Sequence, residues 1–193
     1  MIEEFIKGNK SFIKDDFERD RLRYEALATS QSPKALWIGC ADSRIECERI
    51  TCANAGELFV HRNIANIVPV GDWNFAAVLE YAVAHLKVPG IVICGHSDCG
   101  GIKALDLEMD DSYIPLWIDN AREAKRRVDA RIAAPTTPEE SKARLTEMEK
   151  ENVRLQMEHL RTYPIVKKTE SDKKVRIYGL YYDLATGILE EVL

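Results

Sequence analysis

The sequence predicts an α/β fold: a single domain with a mostly parallel central sheet, an antiparallel C-terminal edge strand, flanking helices and an N-terminal helical arm. Three observations carry this reading. Short apolar runs with the length of buried strands alternate with segments of helical periodicity. Two of those runs end in polar, glycine-flanked segments, Cys40-Ala41-Asp42-Ser43-Arg44 and Gly95-His96-Ser97-Asp98-Cys99-Gly100-Gly101. The last run follows a Thr186-Gly187 turn, which folds it back on its predecessor. A chain of 193 residues is long enough for one sizeable core, and no internal repeat or linker divides it.

The elements follow in order. Ile2, Phe5, Ile6, Phe12, Ile13 and Phe17 repeat at helical spacing, so residues 1–30 read as an amphipathic arm. Its apolar face needs a surface, either the domain or a second subunit. Ala35–Gly39 is the first strand and Leu58–Val60 the second. Phe75, Val78, Leu79, Ala82, Val83 and Leu86 mark one helix, which Pro89-Gly90 stops. Ile91–Cys94 is the next strand. Tyr113–Ile132 and Pro138–Tyr163 read as charged helices separated by Pro135 and Pro138. Val175–Tyr182 is a late strand, and Ile188–Leu193 is the final, antiparallel one.

Composition excludes several classes. A net charge of −5 and a pI near 5.5 argue against a nucleic-acid footprint. No apolar run approaches the ~20 residues that cross a bilayer. The acidic, amphipathic N-terminus lacks a secretory apolar region, so the expected location is cytoplasmic. Five cysteines, an odd number without a tight framework, do not describe a secreted disulfide scaffold. Cys94 sits inside an apolar strand and reads as core; Cys47 and Cys52 have no evident partner.

The chemistry lies at the strand ends. Cys40 follows the first strand and His96 follows the Ile91 strand, so both emerge at the carboxyl edge of the sheet, where open α/β folds bind ligands. Cys99 lies three residues past His96 across a glycine-rich turn. Gly95, Gly100 and Gly101 are expected to let the backbone fold tightly there. Two thiols and one imidazole are the donors of a zinc site with one open position, which favours catalysis over a closed structural site. Two thiolates and a neutral imidazole cancel the zinc charge, so bound water ionises less readily than on three neutral histidines. Asp42, two residues past Cys40, can accept a hydrogen bond from a metal-bound solvent oxygen and aim its lone pair. Arg44 holds Asp42 ionised through a charge-assisted contact. A second role stays open: Asp42 as a fourth ligand that shuts the site. His61, His85 and His159 read as surface or packed histidines.

Cys40-x-Asp42-Ser43-Arg44, Gly56-Glu57-x-Phe59-Val60-x-Arg62-Asn63-x-Ala65-Asn66, Glu80-Tyr81-Ala82-Val83 and Gly95-His96-Ser97-x-Cys99-Gly100-Gly101 together resemble the β-class carbonic anhydrases. The resemblance is specific from Gln31 to Lys103 and looser through Glu151-Asn152-Val153 to the final strand. It implies reversible hydration of carbon dioxide to bicarbonate and a proton by hydroxide on one zinc ion. Cys40, His96 and Cys99 match the family's ligands, and Asp42 and Arg44 its dyad. Gln31, Phe59 and Tyr81 match its substrate pocket: an apolar wall and two hydrogen-bond donors suited to a small apolar gas. Trp37, Arg62 and Tyr182 match a second bicarbonate pocket found in one subgroup. Ile45-Glu46-Cys47 departs from that subgroup's Val-Pro-Ala, and Arg62 has an alternative as a salt bridge at a subunit interface. The resemblance further implies a homodimer or a dimer of dimers, with the arm lying on the neighbour and the active site near the shared interface. Carbonyl sulfide or carbon disulfide hydrolysis on the same site, and non-catalytic bicarbonate sensing, are the alternatives.

Overall fold

The structure, a computed structural model, describes residues 1–192 and divides into two compact units, Met1–Ser32 and Pro33–Leu193. In the first, α1 (Ile2–Phe12) passes through a π-helical turn (Ile13–Phe17) to α2 (Arg21–Leu27). Phe12 and Phe17 both pack on Tyr24, with ring centroids 5.6 and 5.0 Å away. Ile2, Phe5 and Ile6 are exposed, the stripe expected of an amphipathic arm.

Among the described residues the second unit holds five strands: β1 (Ala35–Cys40), β2 (Leu58–Asn63), β3 (Gly90–His96), β4 (Arg176–Tyr182) and β5 (Leu189–Glu191). Their spatial order is β2-β1-β3-β4-β5, parallel except for the last pair. The edge strand is shorter than Ile188–Leu193, and Leu193 lies outside the described residues. The chain leaves β1 for β2 on one side and crosses back to β3 on the other. The carboxyl ends of β1 and β3 therefore flank the point where strand order reverses, where such sheets bind ligands.

Register sorts the side chains. Phe59, Leu36, Ile91 and Ile177 form one cross-sheet row. That face carries the main core, where Leu36, Ile38, Ile91 and Ile93 meet Phe75 and Leu79 of α4 (Trp73–Glu80), Val153 and Leu160 of α8 (Pro138–Leu160) and Val166 of α9 (Pro164–Ser171). The opposite face has a smaller cluster, Trp37, Cys47 and Cys94, under α3 (Cys47–Ile50). Burying apolar surface at roughly 25 cal/mol per Å² favours this layered packing. The predicted single helix through Leu86 is α-helical only to Glu80 and continues as a π-helical turn, Tyr81–His85. The charged region after Tyr113 contains α6 (Ile114–Ile118) and α7 (Arg122–Asp129), joined by a 3₁₀ turn. Helix α8 starts at a capping box in which Thr137 and Glu140 bond each other's backbone. Among the described residues, no helix is long and apolar enough to cross a membrane.

Candidate metal centre

Cys40 ends β1 and His96 ends the adjacent β3, while Cys99 precedes the short α5 (Gly100–Lys103). Strand pairing of Gly39 with Cys94 brings the two exits side by side. All three residues are buried, and one donor atom from each lies within 4.8 Å of the others. The His96 ring is oriented for ligation. Its Nδ1 lies 2.9 Å from the Ser97 carbonyl, which can only accept, so the proton sits on Nδ1 and the lone pair on Nε2. Nε2 is fully buried and has no hydrogen-bond partner among the described residues. An orphaned buried acceptor beside two thiols is what a soft-ligand cation relieves. The Cys40 thiol is pulled down to about 4, chiefly by its hydrogen bond with Cys99, and the same bond pushes Cys99 up. Two close sulfurs beside an imidazole lone pair form a donor set that a soft cation fits.

Asp42 and Arg44 stand at the rim. Arg44 donates from Nε to Asp42 Oδ1 at 2.9 Å and from a terminal nitrogen to Oδ2 at 2.7 Å, a bidentate contact. The Arg44 main-chain N–H also donates to Oδ1. Hydrogen bonds from Arg44 hold the Asp42 carboxyl well below the usual carboxylate range. Asp42 Oδ2 lies 3.9 Å from His96 Nε2, facing the donor cluster.

Other contacts fix the loops. Arg62 of β2 donates to the Cys40 carbonyl at 2.8 Å and the Asp42 carbonyl at 2.6 Å, tethering the segment between ligand and acid. Glu149 of α8 accepts from the Cys99 N–H at 2.8 Å and the Tyr181 hydroxyl at 2.7 Å; burial pushes its carboxyl up to about 7. Two of the three glycines serve the tight packing expected of them, and none of the three has the left-handed conformation. Left-handed backbone falls on Asp98, at φ +62°. Gly95 and Gly101 are needed for close approach: an added Cβ would stand 2.7 Å from Val153 Cγ2 and 2.8 Å from Ile64 Cγ2 respectively, whereas Gly100 has open space.

Trp37 and Tyr182 belong to one apolar cluster. Phe59 and Tyr81 also meet, with ring centroids 5.7 Å apart. They are not beside the metal centre of their own chain. Phe59 pairs with Leu36 and lies four residues before Asn63, the partner of Cys40, which sets its Cα about 13 Å down the strand. Gln31 is exposed and belongs to the first unit. His61 packs edge-on against Phe75, His85 stacks on Tyr81 and His159 bonds near Val68 and Gln156, so none joins the donor cluster. Sequence reasoning missed Asp98, Glu149 and the tethering by Arg62. Asp98 had a local signal, an acid between two candidate ligands; Glu149 had none, because fifty residues separate it from Cys99.

The family described as carbonic anhydrase matches residues 35–189. Among curated relatives, a carbonic anhydrase of Pseudomonas aeruginosa is 36% identical over 193 residues, covering 97% of this chain and 86% of its own length. One of Emericella nidulans is 34% identical over 191 residues, covering 98% and 82%. Among solved structures, a tetrameric β-carbonic anhydrase of Sordaria macrospora superposes with a TM-score of 0.91 at 32% identity, covering 99% of this chain and 96% of the other. The Coccomyxa β-carbonic anhydrase, solved with acetazolamide, gives 0.91 at 29% identity, covering 100% and 86%. With the motifs, the strand order and the Cys-His-Cys cluster in agreement, the chain belongs to the β-class carbonic anhydrases, a family of carbonate dehydratases.

Proposed function

We propose that the chain holds one zinc ion on Cys40, His96 and Cys99 and catalyses the reversible hydration of carbon dioxide to bicarbonate and a proton. The observation that carries this reading is the convergence of three soft donors within 4.8 Å, beside a carboxylate held ionised by an arginine. Zinc, when bound, supplies the Lewis acidity that makes a water molecule nucleophilic near neutral pH. Asp42, as an ionised carboxylate, only accepts hydrogen bonds, so it takes an O–H of the attacking water and leaves the water's lone pair facing carbon dioxide. Arg44 keeps Asp42 ionised and in place, and Arg62 fixes the backbone that carries it.

Phe59 walls the pocket for carbon dioxide, and Gln31 and Tyr81 donate to its oxygens as charge develops. The separation of Phe59 and Tyr81 from their own metal centre supports a pocket completed by a second copy of the chain. The assembly is then a homodimer or a dimer of dimers, with residues 1–30 lying on the neighbour. The tetramers named for the Sordaria relatives support it. A regulatory bicarbonate on Trp37, Arg62 and Tyr182 has to draw Arg62 away from the Cys40 and Asp42 carbonyls. Five cysteines without a disulfide suit a reducing cytoplasm.

Metal analysis with stopped-flow hydration of carbon dioxide tests the reading. One zinc per chain and a rate that collapses in Asp42→Ala are expected. Faster hydrolysis of carbonyl sulfide or carbon disulfide would reassign the substrate, and a zinc-loaded but inert protein would make it a sensor.

A further inference from the structure

Arg44 has a second anchor. Beyond its bidentate contact with Asp42, its remaining terminal nitrogen donates to Asp98 Oδ2 at 3.0 Å, and the nitrogen shared with Asp42 also donates to the Asp98 carbonyl at 3.1 Å. One residue thus grips the guanidinium with both its carboxylate and its main chain. The carboxylate is held in turn by Lys103, one turn into α5. Asp98 lies between His96 and Cys99, in the left-handed region where Asp is tolerated far better than branched residues.

An exposed ion pair by itself contributes little. Three features set this one apart. The partner is a planar fork, so two contacts from Asp98 and two from Asp42 fix its plane as well as its position. Four of the five guanidinium N–H groups are then occupied. The anchor also joins segments 54 residues apart: the loop that carries the acid and the loop that carries two of the three donors.

Resting on the roles assigned above to Asp42 and Arg44, we propose that Asp98 is a positioning residue of the hydration reaction. It locks the Arg44 guanidinium to the metal-binding loop, so that Asp42 is held at a fixed distance from the donor cluster. Lys103 keeps the Asp98 carboxylate turned toward that task. Asp98 touches neither substrate nor metal in this role, and its effect passes wholly through Arg44.

A double-mutant cycle tests this on the zinc-loaded protein, using Asp98→Ala, Asp98→Asn, Arg44→Lys and the Asp98→Ala/Arg44→Lys pair. Asp98→Asn keeps the left-handed backbone and one acceptor oxygen, and so separates positioning from loop folding. In Asp98→Ala, kcat/KM is expected to fall about tenfold, equivalent to about 1.4 kcal/mol, with zinc content unchanged and Asp98→Asn intermediate. In the Arg44→Lys background the same change is expected to add less than about twofold, because coupled residues are not additive. Nitrogen-15 NMR gives a readout independent of turnover: the Arg44 Nε–H signal, identified by its loss in Arg44→Lys, broadens or exchanges faster in Asp98→Ala. Wild-type kcat/KM with an unchanged Arg44 signal would overturn the proposal, as would full additivity in the cycle or loss of zinc from both Asp98 variants. Wild-type activity in Arg44→Lys would instead overturn the reading of the dyad itself.

Discussion

The Cys99 N–H donates to the Glu149 carboxylate at 2.8 Å, and the other Glu149 oxygen accepts from Tyr181 at 2.7 Å. A buried acid from α8 thereby holds the backbone of a candidate metal ligand on one side and β4 on the other.

Glu149→Ala leaves two buried donors unpaired and opens a cavity. Each lost partner costs about 1–3 kcal/mol, so a total loss of about 3 kcal/mol is expected by urea denaturation. Glu149→Gln keeps an acceptor for Cys99, and the Tyr181 hydroxyl can rotate to accept from its amide. It is expected to lose less than half as much.

Metal removal should act on stability and activity together. The donor cluster is assembled only in the fold, so a cation bound there stabilises the folded state by mass action, about 2.7 kcal/mol at a hundredfold excess over Kd. Dialysis against a chelator should lower Tm by several degrees and abolish carbon dioxide hydration, with both restored by stoichiometric zinc. An unchanged Tm on chelation would show that nothing is held there.

Arg144 carries the acid sensitivity expected of the helical layer. It bridges Asp106 and Asp129, which Lys125 also contacts. Burial pushes both carboxyls up, but the hydrogen bonds from Arg144 and Lys125 outweigh it and hold both below their ordinary values. Depressed carboxylates stabilise the fold above their unfolded pKa, near 4, and that contribution is lost as pH falls through the folded values. Arg144→Leu is expected to cost about 2 kcal/mol at pH 7. The gap to wild type should narrow by pH 3, read from urea midpoints at the two pH values.

Two neighbouring glycines should respond in opposite ways. Gly101→Ala puts a Cβ 2.8 Å from Ile64 Cγ2 and 2.9 Å from Ala65 Cβ, an overpacking expected to cost about 1–3 kcal/mol. Gly100→Ala meets nothing within 4 Å at the start of α5. By restricting the unfolded chain it should be neutral or stabilising by about 0.5 kcal/mol. Thermal melts of the two variants check both signs.

Much of this was legible beforehand, and what was legible was local. The Ala35–Gly39 and Ile91–Cys94 runs announced strands because their burial on both faces leaves no polar positions to interrupt them. The candidate ligands Cys40 and His96 are legible because they lie directly at those strand ends. The π-helical turn at Tyr81–His85 was not legible, because its apolar spacing still suits an ordinary helix. Nor was the left-handed pair Ala65 and Asn66, where no glycine marks the turn. That turn is held from outside: Trp117 Nε1 donates to the Ile64 carbonyl and Asn152 to the Ala65 carbonyl. Nor does any local pattern show that strand register sets Phe59, with Tyr81 packed on it, four residues down β2 from Asn63, the partner of Cys40.

By itself the sequence determined which side chains are available for chemistry and which strand ends present them, because periodicity and strand-end spacing are properties of neighbours along the chain. The tertiary structure decided how those side chains are held: Arg44 by Asp98, Cys99 by Glu149, and the Cys40–Asp42 backbone by Arg62. Such contacts close loops of roughly twenty to fifty residues, and their partners are selected by packing and by the need to satisfy buried polar groups, which no local pattern encodes.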